Sequence, residues 1–419
     1  MRKFTLPAAL IGLLAAVTGY CQTARTGPEW PCFHGPRRNN TSTETGLLKK
    51  WPDGGPKRLW TASGLGKGYS TVSISGGRIF TSGSIDNQTH VFALDMDGKM
   101  LWRKLNGPSW STTQRWAAGY DGARSTPTCD GGRVYHLGEM GRLTAFDAAT
   151  GAEAWSFNVL ERFEGKPAAY GLAESVLIDG DRLICSPAAA KGFIVCLNKA
   201  DGKTIWANAD IPGGAAYSSA VIAEFGGFRQ VLGMSSTVVY GVDIETGKLL
   251  WSVPHGNQRN NTATDPVFHD GCVYASSGYG KGSVGVKLSA ADGGIRAEEV
   301  WRSRRMDNHH GGVVRVGDHL YGAGHNDPGW SCLAARTGEV AWNVPGKGSL
   351  TAADGMLYCL DEKGTMSLVE ATPEAYRRVS SFTVPSGGAG LHWAHPVVCG
   401  GRVYVRHADK LFAYDIRAD

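Results

Sequence analysis

A short pattern recurs eight times along the chain: an apolar run, a two-residue turn built from Gly or Asp, then an apolar-aromatic run. The turns fall at Gly76-Gly77, Gly131-Gly132, Gly180-Asp181, Gly226-Gly227, Asp270-Gly271, Gly317-Asp318, Asp354-Gly355 and Gly400-Gly401, the fourth copy being divergent. Two β-branched runs meeting at such a turn spell a β-hairpin, because the turn residues need φ > 0. A second signal follows most hairpins: Asp147, Gly151 and Trp155 recur at the same spacing as Asp243, Gly247 and Trp251. The Asp caps the turn with its own side chain and the Gly closes it in a left-handed conformation. Trp60, Trp102, Trp155, Trp206, Trp251, Trp301 and Trp342 read as docking residues that anchor an outer strand against the neighbouring unit. A four-stranded unit cannot bury both of its faces alone, so the units must stack around a ring. After the eighth hairpin one strand remains, Leu411 to Ile416, and an orphan strand at Lys57 to Trp60 precedes the first. The N-terminal strand can therefore complete the last unit and close the ring, removing the open edges. The reading is an all-β, eight-bladed β-propeller over 57–417, behind a signal peptide at 1–24 and an N-terminal extended segment at 25–56.

Composition agrees. Gly supplies 58 of 419 residues and Trp 13, which suits short strands and tight turns and opposes long helices, where each interior Gly costs ~1 kcal/mol against Ala. The 43 Lys and Arg against 38 Asp and Glu leave +5, thinly spread and without a run of five like charges. A nucleic-acid binder would carry a basic stripe, so that class is set aside. Met1-Arg2-Lys3 followed by the apolar Phe4 to Gly19 is too short for a spanning helix and reads as a secretory leader, placing the mature chain in the periplasm or outside the cell. Cys21 would be a lipid-attachment site, but Tyr20 stands where a small residue is needed, so lipidation is the less favoured route. No other segment could span a bilayer. The expected partners are envelope proteins or a small-molecule ligand, with the chain itself a monomer. The eight further cysteines include no C-x-x-C and read as buried hydrophobes. Cys185 and Cys196 are a candidate disulfide across one hairpin.

The stretch Ala145 to Trp155 and its relatives resemble the tryptophan-docking repeat of the pyrroloquinoline quinone propellers. That superfamily holds quinoprotein alcohol dehydrogenases and the non-catalytic outer-membrane-assembly lipoproteins of the BamB type. Trp30-Pro31-Cys32-Phe33-His34-Gly35-Pro36 with Thr45-Gly46-Leu47 is similar to the leader of a large bacterial group of such propellers. For the enzymes the resemblance implies the quinone with calcium as cofactor, a catalytic Asp, and often a disulfide between adjacent cysteines. No adjacent Cys pair occurs here and no Asp or Asn matches the enzymes' ligand or base motif. The reading is therefore a ligand- or protein-binding scaffold of the BamB type, the alternative being a quinone-dependent dehydrogenase of alcohols or sugars.

In a propeller the innermost strands line the channel, so the residues leading into them form a ring at one mouth. Alignment on the hairpin turns puts Arg124, His310, Lys347 and Trp393 at equivalent positions, with Tyr69 beside them. Two residues later come Thr126, Ser175, Asp265, Ser349 and His395, with Glu174 before Ser175. The first set suits a planar or anionic ligand through stacking and bidentate contacts; equally, these residues can bond one another across a polar channel. His309 and His310, taken as neighbours on one strand, would point to opposite faces. One of them with His395, and Asp265 or Glu174, could then make a nitrogen-and-oxygen metal site. Asp265 is the candidate general base. Trp110 and Trp116, in the long connection between the first two blades, are candidate contact residues on a loop-bearing face, or equally pack onto the channel mouth.

Overall fold

The structure, a computed structural model, describes Met1 and residues 27–418 except 115, 116, 118 and 292. Cys21, Trp116 and all but the first residue of the leader lie outside them. The strands form eight four-stranded antiparallel sheets, the blades of a closed propeller. Blades 1 to 7 occupy 73–108, 128–158, 177–208, 221–254, 267–303, 313–344 and 348–383 in turn. Blade 8 takes Val397–Cys399, Arg402–His407 and Lys410–Asp415, with Arg58–Ala62 as its outermost strand. Among the described residues Val159–Arg162 is the one α-helix, and no helix is long and apolar enough to cross a membrane.

Every inner hairpin closes through two residues. At Asp270 and Gly271 both φ values are positive (46° and 71°), whereas at Gly180 only the first residue of the turn is left-handed (54°). These are the two sign patterns whose twist matches that of the strands. The core lies in the seams between blades, where Leu232 and Val239 of blade 4 pack with Val273, Val284 and Val286 of blade 5. The tryptophans cross those seams. Indole Nε1 of Trp102 donates to the carbonyl of Ala148 in blade 2 (3.1 Å), that of Trp155 to Lys199 in blade 3 (3.1 Å) and that of Trp206 to Ile244 in blade 4 (3.0 Å). Trp301 does the same to Ala335 (2.8 Å), Trp342 to Thr372 (2.8 Å), and Trp60 of the closing strand to Met96 of blade 1 (3.0 Å). Trp251 differs: blade 5 has a longer outer hairpin in place of the short Asp-to-Gly turn, and Trp251 donates to Gln230 of its own blade (2.7 Å).

Cys185 and Cys196 do not face one another. Cys196 pairs with Ile184 and Cys185 with Val195, so the two thiols project from opposite faces of blade 3 into different seams, and both are free.

The segment before the first blade crosses the channel on the side of the inner turns. Trp30 bridges to Ile74 of blade 1, the carbonyl of Pro31 accepts from Cys129 of blade 2, and Thr41 bridges to Ala352 of blade 7. Between these anchors the buried guanidinium of Arg38 donates to the carbonyls of Ser175, Val176 and Ala220, tying blade 3 to blade 4. Further on, Trp51 fills the seam between blades 7 and 8 against Tyr358 and Phe382.

Candidate functional site

Two rings of side chains, one layer apart, surround the channel. The upper ring holds one residue from each blade: Tyr69, Arg124, Ala173, Tyr217, Ala263, His310, Lys347 and Trp393, and all eight line one cavity of about 470 Å³. Two residues further along each chain lead, where an extended backbone returns to the same side, stand Thr71, Thr126, Ser175, Ser219, Asp265, Gly312, Ser349 and His395.

The lower ring is a hydrogen-bonded belt. Thr71 N–H donates to Thr126 Oγ1 (3.1 Å), Thr126 N–H to Ser175 Oγ (3.0 Å), Ser175 N–H to Ser219 Oγ (2.9 Å) and Ser219 N–H to Asp265 Oδ1 (2.6 Å). In each link a side chain of one blade satisfies the backbone of the blade before it. The N-terminal segment then joins in: His34 Nδ1 lies 3.1 Å from Asp265 Oδ2, and its Nε2 lies 2.9 Å from His395 Nδ1. His395 Nε2 meets the carbonyl of His310 (2.6 Å). A carbonyl only accepts, so this nitrogen carries the proton, and His395 Nδ1 must accept from His34. Thr71 Oγ1 closes the circle on the carbonyl of His395 (2.6 Å). Blade 6 has Gly312 in this ring, and a Cβ there would come within 3.1 Å of His395 and 3.5 Å of His34. The glycine makes room for the imidazole pair.

The belt changes the roles read from the sequence. Thr126, Glu174 and Asp265 are buried beneath the cavity and do not line it. Asp265 is engaged by His34 and Ser219 and is not placed as a general base. Glu174 accepts from Ser186 N–H, and burial lifts its carboxyl to about 7. The metal set drawn from His395 with Asp265 or Glu174 is not assembled, because both nitrogens of His395 are taken. Among the described residues no three His, Cys, Asp or Glu side chains converge to hold an ion. His309 and His310 lie in a bend rather than on a strand, fixed where Asn308 Oδ1 accepts from Gly311 N–H (2.9 Å). Both therefore face the cavity, their ring planes 86° apart.

The cavity wall is aromatic and imidazole-rich. Trp393 is stacked on Tyr120 (5.4 Å, 9°) and touches Tyr69 (5.1 Å) and His310 (4.6 Å). His309, His325 and Tyr279 form a second group at 4.4–5.2 Å. Phe33, stacked on His34 at 3.7 Å, floors the cavity. Arg124 stands over the rings of Tyr69, Trp110 and Tyr170 at 5.3–5.5 Å and donates to the carbonyls of Tyr170 and Tyr120. Trp110 is thus buried beneath Arg124 and is no exposed contact residue. Glu362 accepts from Trp393 Nε1 (2.7 Å) and pairs with Lys347 (3.0 Å). Burial holds His309 and His395 down to about 3 and His310 well below its ordinary value, so all three are neutral at neutral pH.

Sequence reasoning missed Phe33, His34, Tyr120, Tyr170, Tyr217, Tyr279 and Glu362. Tyr217 had a findable signal, because it stands two residues before Ser219 as Arg124 stands before Thr126; the divergent fourth hairpin hid it. Tyr120, Tyr170 and Tyr279 come from loops without a repeat to align.

A family model described as outer membrane protein assembly factor BamB matches residues 87–344, more than half of the chain. The chain belongs to this family. A relative of that description from Yersinia pestis is 27 % identical over 293 residues, covering 65 % of this chain; the chain spans 66 % of that relative's length, just under two thirds. The crystal structure of BamB from Moraxella catarrhalis superposes with a TM-score of 0.61 at 17 % identity, covering 86 % of this chain and 98 % of that one. A quinohemoprotein alcohol dehydrogenase from Comamonas testosteroni gives 0.64 at 14 % identity, covering 95 % and 82 %. At such identities both structures speak for the propeller fold, not for an activity.

A calcium-bound quinone would need several oxygen ligands around the ion. Among the described residues lining the cavity Glu362 is the one carboxylate, and Lys347 already neutralises it. The donor set does not fit that cofactor.

Proposed function

We propose that this chain is a non-catalytic scaffold of the cell envelope, acting outside the cytoplasm and binding through the mouth of its channel. One observation carries the reading: the mouth is a finished aromatic pocket in which each nearby carboxylate already has a partner. Asp265 faces His34, Glu174 accepts from Ser186, and Glu362 holds Lys347 and Trp393. Asp265 and Glu174 lie beneath the cavity and do not line it, and Glu362 on its wall is held through Oε1 by Lys347 and Trp393, so no carboxylate pair is presented to a ligand for acid-base work. The leader-like residues 1–24 and the description carried by the family and by the Yersinia relative, outer membrane protein assembly factor, motivate the location and an envelope partner.

The test is site-specific photo-crosslinking in the producing cell, with the photoreactive residue at Leu391 on the mouth or at Ile205 on the outer rim. Defined adducts to envelope components from Leu391 alone are expected. Equal labelling from both positions, or recovery of the protein with the cytoplasm, overturns the reading. The dehydrogenase alternative is judged by titrating the quinone with calcium: saturable binding with dye reduction on alcohols or sugars would restore it.

A further inference from the structure

The pocket also constrains what chemistry can occupy it, which deepens the binding role proposed above and rests on it. Its two cations are already engaged. Lys347 is paired with Glu362 at 3.0 Å, and Arg124 is covered by two carbonyls and the faces of three rings. A ligand carrying several negative charges would lose its hydration without gaining a free cation, an unfavourable exchange. The neutral polar groups, in contrast, are unsatisfied. Nδ1 of His309, both nitrogens of His310 and Nδ1 of His325 are buried without a hydrogen-bond partner. His309 and His310 are held neutral by burial, and a neutral imidazole offers one N–H donor and one lone-pair acceptor. A purely apolar guest would leave these nitrogens unpaired at about 1–3 kcal/mol each, and a proline-rich peptide, which offers carbonyl acceptors but no donors, would leave the imidazole lone pairs unpaired.

What satisfies alternating donors and acceptors is a set of hydroxyl groups, each of which can do either. What fits among Tyr69, Tyr170, Tyr217, Tyr279 and Phe33 is a ligand with apolar C–H faces. A sugar ring has both. The volume of about 470 Å³ lies in the range of small-ligand sites. We infer that the mouth cavity is a binding site for a neutral saccharide, its hydroxyls bonded to His309, His310 and His325 and its C–H faces against the tyrosines.

The experiment uses the whole mature protein, with saturation-transfer NMR and calorimetry on neutral trisaccharides of glucose, mannose and N-acetylglucosamine. Galacturonic-acid trimer, a proline decapeptide and the tricarboxylate quinone are compared alongside. At least one neutral trisaccharide is expected to bind with a Kd below about 1 mM, with affinity unchanged between low and high salt, as an uncharged contact requires. His309→Leu with His325→Leu is expected to weaken it about tenfold or more. Tyr217→Ala is the second variant should the double one not fold. Binding confined to the acidic sugar or the quinone, binding that survives both variants, or no saccharide bound, each overturns the inference. No saccharide bound with the Leu391 crosslinks intact fails this inference alone; sugar bound without those crosslinks fails the envelope-partner reading alone.

Discussion

Trp301 of blade 5 lies against Gly338 of blade 6 while its indole N–H reaches the carbonyl of Ala335 in the same turn. Gly338 has φ = +71°, and a Cβ there would stand 2.4 Å from Trp301 Cε3. The glycine therefore answers two demands, a left-handed backbone and a flat seat for the indole. Gly338→Ala is expected to destabilise the protein by about 3 kcal/mol, the sum of αL strain and a displaced tryptophan, measured as a lowered denaturant midpoint at unchanged slope. A midpoint within error of the parent would contradict this account of the motif. The coupling explains why the spacing was so legible: turn Gly and docking Trp are the two halves of five of the eight seams, at Gly98, Gly151, Gly202, Gly247 and Gly338, repeated at a near-fixed interval. The site was legible for the same reason and only so far. Arg124, His310, Lys347 and Trp393 sit at repeat positions and do share one cavity. The roles of Asp265 and His395 were not legible, because their partner, His34, is far away in sequence and outside any repeat.

At the scale of elements, the N-terminal segment stands apart from the strands. It adds no full strand to the ring before Arg58–Ala62, yet it supplies Phe33 to the cavity floor, His34 to the belt and Arg38 to the inner carbonyls. An extended stretch rich in Pro, Gly and Asn gives no periodicity from which such packing could be inferred, whereas the strands announce themselves by alternation and turns. Arg38→Met keeps the volume of the stem and removes the donors, leaving three inner carbonyls for water to reach. A loss of about 2 kcal/mol is expected. Limited proteolysis should then cut first between residues 41 and 57 while the blades stay intact. Simultaneous digestion of blades and segment would show that the segment is not a separately anchored piece.

At the scale of the whole molecule, closure rests on buried groups that must remain uncharged. Burial lowers His255 and His395 to about 3, and His136 and His392 to about 4. Unfolded, these histidines titrate near 6.5, so below that pH the unfolded chain binds protons the folded one refuses. Stability therefore falls as pH drops from about 6.5 toward 4 and is flat above. Glu174, raised to about 7, and Glu139, also raised by burial, act in the opposite sense above about 4.5, since there the folded state keeps the proton, but they are two groups against at least six imidazoles, His309 and His310 being lowered as well. The melting temperature is expected to be lower at pH 5 than at pH 7.5; an equal or higher value would sink this account of the buried imidazoles.

The central claim is that the two rings have different work, the lower one holding the blades together and the upper one binding. Calorimetric unfolding of Asp265→Ala beside Tyr217→Ala tests it most directly. Asp265→Ala strands His34 and the Ser219 N–H in a buried layer and should lower the melting temperature by several degrees, for a loss of about 3 kcal/mol. Tyr217→Ala, which loses one hydrogen bond from the Tyr170 N–H and one ring contact on a half-open wall, should shift it clearly less than Asp265→Ala does. The reverse pattern, with Asp265→Ala neutral and Tyr217→Ala strongly destabilised, would contradict the account.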